Sequence, residues 1–153
     1  MKIMISYFYQ IRFFSHNMIP LSTAMWDPRW YHANRRQDYR FKDKNSVWNG
    51  LRAEPFVPGP LCNGLCAGDY SIRHPQDCAF LKTYKKQLDQ LNFNEMLQRF
   101  ERLGNFIKKQ EQFIEEPIMV LIVHEAPNNP CSERWPLIEW FKENGYELKE
   151  FNR

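Results

Sequence analysis

The chain has 153 residues, 43% of them hydrophobic and 16% aromatic, with a formal charge of +3. That is enough chain and apolar content for one domain over 1–153 with its own core, and it excludes an intrinsically disordered protein. Dedicated polynucleotide binders carry a denser basic patch, so nucleic acid is permitted by the charge but not demanded.

The chain opens with MKIMISYFYQIRFF. Ile3, Ile5, Tyr7, Tyr9 and Ile11 alternate with Met4, Ser6, Phe8 and Gln10. Both sets are largely apolar, which predicts a strand over 3–11 buried on both faces. No small-residue cleavage site follows and no run is long enough to span a membrane, so the expected compartment is the cytoplasm. In NMIPLSTAMWDPRWY, residues 17–31, Pro20 and Pro28 forbid a long helix. A short strand over 19–22 and then a loop are expected.

Residues 32–78 are predicted to be a long irregular insertion. Its first part, 32–50, is polar and basic. Its second part is broken by Pro55, Pro58 and Pro60 and by Gly59, Gly64 and Gly68. A loop this long is uncommon in a small domain, so a function or a bound ion is expected to order it.

Helical spacing returns after Pro75-Gln76-Asp77, with Phe80, Leu81, Tyr84, Leu88 and Leu91 on one face. Asn92 stands three residues before Glu95, a capping arrangement for a second helix that carries Met96, Leu97, Phe100, Leu103, Phe106, Ile107 and Phe113. IMVLIV, residues 118–123, is continuously apolar and follows a proline, which predicts a central strand. SERWPLIEWFKEN predicts a helix ended by Gly145, and YELKEF a last strand. Strand, helix, strand makes a crossover unit. The expected fold is α/β: a three-layer Rossmann-like domain with a mostly parallel central sheet.

In such sheets ligands collect beyond the carboxyl ends of the strands. Residues 124–134 leave the most apolar strand and enter a helix, whose first amides lack internal partners and favour an anion. Arg134 and Ser132 are therefore expected to hold a phosphate or carboxylate. Cys131 is a candidate nucleophile if the helix start lowers its pKa, with His124 and Glu125 for proton transfer. Ser22, Thr23 and Asp27 follow the short second strand, and Arg52 flanks the proline-rich turn. All four are expected to line the same cleft. Blander readings stand beside these: an inert buried thiol for Cys131, a carboxylate-paired arginine for Arg134, and a helix-dipole partner for Glu133.

The stretch VLIVHEAPNNPCSER, a strand followed by an acidic loop and a cysteine–arginine pair, resembles the bacterial and phage family labelled domain of unknown function 488. Glu125 matches that family's glutamate and Cys131 its cysteine. Ser132 stands where histidine is usual, and Glu133 is an extra residue before Arg134. The resemblance implies an α/β fold with a polar cleft and no established reaction.

Cys62, Cys66, His74 and Cys78 read as Cys-x3-Cys-x7-His-x3-Cys, four donors suited to tetrahedral zinc. An iron–sulfur centre, uncoordinated thiols or a single disulfide are the alternatives. Residues 26–48 interleave Trp26, Trp30, Tyr31, Tyr39 and Trp48 with Arg35, Arg36, Arg40, Lys42 and Lys44. Such a pattern can stack bases and attract phosphates, or cover a sheet with rings while the charges solvate a loop. The expected function is binding of a nucleotide-like or other anionic small molecule, with an enzyme in view. A nucleic-acid-binding module and a structural or interaction domain are the alternatives.

Overall fold

The run Ile118–Val123 is central, as its composition demands: from Met119 onward every residue of it is buried. A computed structural model describes residues 1–33, 48–65 and 72–153. The run, β5, sits third from one end of a six-stranded sheet made of β1 (Lys2–Tyr7), β2 (Met18–Ser22), β3 (Tyr31–Ala33), β4 (Trp48–Arg52), β5 and β6 (Lys149–Glu150). The order is β3-β4-β2-β5-β1-β6, and each neighbouring pair is parallel. This is an α/β fold on a parallel sheet.

Among the described residues three α-helices with full bounds accompany it: α1 (Ala79–Asp89), α2 (Phe93–Glu111) and α3 (Arg134–Glu143). The Asn92 side chain accepts the Glu95 amide at 3.0 Å, so the predicted cap of α2 forms. All three helices bury their apolar faces on one side of the sheet. Tyr84, Leu88, Met96, Phe100, Leu137, Trp140 and Phe141 join Ile3, Ile5, Ile19, Leu21, Met119, Leu121 and Val123 in one core. Val120, Ile122 and Met18 point to the other side, where Phe8, Ile11, Ala24 and Tyr31 cover them. The third layer therefore consists of loop and 3-10 side chains, with no α-helix among the described residues.

The division follows from handedness. Connections β1 to β2 and β2 to β3 move toward one edge and run over the second face. Connections β4 to β5 and β5 to β6 move back and carry the helices over the first. Right-handed crossovers require that opposite directions use opposite faces.

Three sequence expectations are corrected. The first strand ends at Tyr7 rather than residue 11, because Phe8–Phe13 winds into a 3-10 helix. Phe8 and Ile11, three residues apart, then enter the second core together, a spacing that alternation alone cannot distinguish from a strand. The segment 32–50 is not wholly irregular, since β3 and β4 form the sheet edge there. In β4 a glycine is required: a Cβ on Gly50 would fall 2.1 Å from the Tyr31 ring. That close approach lets the Tyr31 hydroxyl donate to the Leu51 carbonyl at 2.6 Å. Finally, the helix expected from Pro75 begins at Ala79, with Pro75–Asp77 as a separate 3-10 turn. No helix among the described residues is long and apolar enough to cross a membrane.

Candidate functional site

Three parallel strands end side by side. The register aligns Ser22 of β2 with Arg52 of β4 on one side and Ile122 of β5 on the other. The next residues are Thr23, Ala53 and, one step beyond Val123, His124. The connection after β2 leaves over one face and those after β4 and β5 over the other, so a crevice opens at this edge.

The polar groups at the edge form two corners. In the first, Ser22 donates its hydroxyl to Asp27 and also accepts the Ala24 amide at 3.3 Å. Asp27 in turn accepts from Arg52 at 2.9 Å, and Arg52 also reaches Glu54 at 3.2 Å. Burial alone would lower the Arg52 pKa, but the hydrogen bond and charge of Asp27, with Glu54, outweigh it and raise it. The single Thr23 hydroxyl proton is shared between two acceptors within reach, the Ile122 carbonyl at 3.0 Å and Glu133 at 3.1 Å. Glu133 precedes α3 and is 5% exposed. Its other oxygen, Oε2, has no hydrogen-bond partner among the described residues. Burial pushes its carboxyl pKa well above the usual range, and the nearby charge of Glu125 pushes it further. Thr23, Arg134 and Arg52 oppose the rise without cancelling it.

The second corner belongs to Arg134. Its guanidinium is fully buried and every side of it is engaged. Nε donates to Glu150 of β6 at 2.5 Å and Nη2 to the same carboxylate at 3.3 Å. Nη1 donates to the Glu125 carbonyl at 2.7 Å, and the Tyr7 ring lies 5.8 Å from the guanidinium carbon. Burial raises the Glu150 pKa while Arg134 draws it down. Ser132 caps the helix: its hydroxyl accepts the Arg134 amide at 3.1 Å and lies 3.4 Å from Glu125.

These contacts revise several assignments. Arg134, expected to grip an anion, instead ties the α3 start to β6 and to the loop after β5. Ser132 is likewise turned inward. Cys131 is 6% exposed, with its sulfur 3.1 Å from that of Cys78, so it does not face the crevice. His124 is exposed at the rim, its Nε2 bonded to the Trp26 carbonyl and its ring 5.2 Å from that of Phe8. Ser22, Thr23, Asp27, Arg52 and Glu125 do come together at the sheet edge. Of these, Arg52 also lines a recess of about 200 Å³, together with Leu21, Phe56, Met96, Arg99 and Phe100.

Glu133 is the residue that sequence reasoning missed as a site member. A glutamate at a helix start reads as a dipole partner, and only the fold shows that it is enclosed. Cys62 is also buried, in the core that contains Tyr84, and its thiol pKa is raised first by burial and then by Glu133. His74 lies at the turn before Cys78. Cys66 lies outside the described residues, as does most of the basic aromatic segment 26–48. Among the described residues no three metal-binding side chains are grouped. Compared with known proteins, the chain matches no family model, no curated protein and no solved structure.

Proposed function

We propose that the protein binds a small nucleoside-like molecule at the crevice between the ends of β2, β4 and β5, and that Glu133 serves there as a proton donor. The observation that carries this reading is the buried Glu133 carboxyl with an unpartnered oxygen. Buried polar atoms are almost always satisfied, and an enclosed one left without a partner close to the strand ends is suited to a ligand's acceptor once the loops around it admit one. A carboxylic acid held neutral by burial can also donate a proton near neutral pH. Glu125, half-buried and on the neighbouring loop, is the second carboxylate of an acid–base pair.

Two features set the ligand class. The recess beside Arg52 is apolar and, at about 200 Å³, admits one flat ring. At its mouth Arg52 already carries Asp27 and Glu54. A bare phosphate would have to displace a carboxylate, whereas sugar hydroxyls can bond to both charges as they stand. The neutral nucleoside is therefore preferred over its phosphate, and the anion grip expected from Arg134 is withdrawn.

Calorimetric titration with adenosine, uridine and their 5′-monophosphates tests the reading. At least one nucleoside is expected to bind more tightly than its monophosphate, and Glu133→Gln is expected to weaken that binding by about tenfold, the value of one lost hydrogen bond to a buried acid. Absence of binding by all four compounds would overturn the proposal. Tighter binding of the monophosphates would overturn the preference for a neutral ligand.

A further inference from the structure

Cys78 and Cys131 are 53 residues apart in the chain, yet their sulfurs lie 3.1 Å from each other in the interior. Cys78 immediately precedes α1 and is 2% exposed, while Cys131 lies three residues before α3 and is 6% exposed. The two helices pack side by side, which holds the cysteines together. We propose that Cys78 and Cys131 are a redox site: they close to a reversible disulfide that fastens the start of α1 to the loop ahead of α3.

The geometry supplies what such a bond needs. Bonded sulfurs stand about 2.05 Å apart, and cysteines whose side chains diverge cannot be bridged without moving the backbone. Here the two side chains already converge. About 1 Å of further approach completes the bond, a distance that rotation about the side-chain bonds covers. Both backbones are held by local hydrogen bonds. The Cys78 amide donates to the Pro75 carbonyl at 3.2 Å, and the Cys78 carbonyl accepts the Lys82 amide at 3.2 Å in the first turn of α1. The Cys131 amide donates to the Asn129 side chain at 2.8 Å, and the Asn129 carbonyl accepts the Trp135 indole at 2.9 Å. The meeting of the sulfurs is therefore set by the fold from both sides.

The reaction balances with a hydroperoxide as the oxidant. The sulfur of Cys131, the more exposed of the two, attacks a peroxide oxygen. The O–O bond breaks, the thiol proton passes to the departing oxygen, and Cys131 becomes a sulfenic acid while water or an alcohol is released. The Cys78 sulfur then attacks the Cys131 sulfur. The S–O bond breaks, and hydroxide leaves with the Cys78 proton as water. The two thiols have together lost two electrons and the peroxide has gained them. A dithiol reductant returns the pair by exchange. Cys62 stands apart from this chemistry. It lies in the core around Tyr84, and its thiol pKa is raised by burial and then by Glu133, which keeps it protonated and inert. The disulfide uses none of the side chains assigned to the crevice, so its failure would leave the nucleoside reading untouched.

The test is treatment of the folded protein with one molar equivalent of hydrogen peroxide, followed by alkylation and non-reducing digestion. A Cys78–Cys131 cross-linked peptide is expected, with Cys62 recovered in alkylated form. Closing a loop of this length should raise Tm by about 10 °C, and dithiothreitol should return it to the starting value. Cys78→Ser should abolish both the cross-link and the rise, and Cys62→Ser should change neither. Should the Cys78 variant fail to fold, the peptide map of the wild type still decides. Recovery of Cys78 and Cys131 as alkylated thiols overturns the proposal, as does a cross-link from either of them to another cysteine or to a second chain. A Cys78–Cys131 cross-link that leaves Tm unchanged overturns its fastening role.

Discussion

A buried glutamate, Glu133, and a half-buried one, Glu150, lie close to the start of α3, and the protein treats them in opposite ways. Glu150, on β6, is held by two guanidinium nitrogens of Arg134. Glu133, on the helix side, has a threonine hydroxyl on one oxygen and nothing described on the other. The first corner closes the fold: it links the last strand, the helix start and the loop after β5 through a single side chain. The second leaves an enclosed polar atom without a described partner beside three strand ends. A charge that is fully matched acts as structure, and a charge suppressed by burial and left unmatched is available for chemistry. The comparison teaches that the arginine standing out in the sequence is the structural member, and the inconspicuous glutamate beside it the candidate functional one.

The largest effect should come from breaking the closed corner. Arg134→Ala strands the Glu150 carboxylate and the Glu125 carbonyl, and urea denaturation is expected to show a loss of about 3–5 kcal/mol. A loss below about 1 kcal/mol would mean that the corner is open to solvent in solution.

The open corner should respond in the other direction. The folded pKa of Glu133 is raised, so the folded protein holds a proton that the unfolded chain releases above a pKa of about 4.3. Stability contributed by this group is thus fully present below that value and is lost as pH rises toward the folded pKa, by about 1.4 kcal/mol for each unit in that window. Glu133→Gln keeps an oxygen to accept from Thr23 and removes the titration. It is expected to flatten the pH dependence and to stabilise the protein near neutral pH by about 1–3 kcal/mol. An unchanged slope between wild type and variant would show that Glu133 is ionised when folded and that the two corners are alike.

The smallest effect is expected at Arg52, which bridges Asp27 and Glu54 at the crevice mouth. Its side chain keeps 21% of its surface exposed, and Glu54 keeps 61%. Solvent screens such pairs, so Arg52→Ala should cost under about 1 kcal/mol in thermal or urea unfolding. Nucleoside binding should weaken by more than that. Equal losses in both measurements would make Arg52 a stabilising residue only.

Much of the frame was legible in the residues. The strand Ile118–Val123 appears where its composition puts it, because a β-branched apolar run buried on both faces has few other solutions. Asn92 caps α2 as its spacing to Glu95 indicates, since that interaction is local. The helix Arg134–Glu143 starts two residues later than the predicted segment, with Ser132 as the capping side chain. β3 and β4 were not legible. Their few residues include Gly50, and their pairing is satisfied by strands distant in sequence, so period and propensity carry little signal. Of the site, Ser22, Thr23, Asp27 and Glu125 were nominated from position after a strand and Arg52 from its place beside the proline-rich turn, and the fold does gather them.

The sequence by itself determined the class of fold and the end of the sheet at which polar residues collect. Both follow from local periodicity and from the direction in which a parallel strand delivers its next side chains. Only the tertiary structure decided what each of those side chains does. Whether Arg134 meets solvent or Glu150, and whether Cys131 faces a crevice or Cys78, depends on contacts between residues 16 and 53 positions apart. Burial is likewise a property of neighbours, and burial is what separates a neutral Glu133 from an ordinary surface carboxylate.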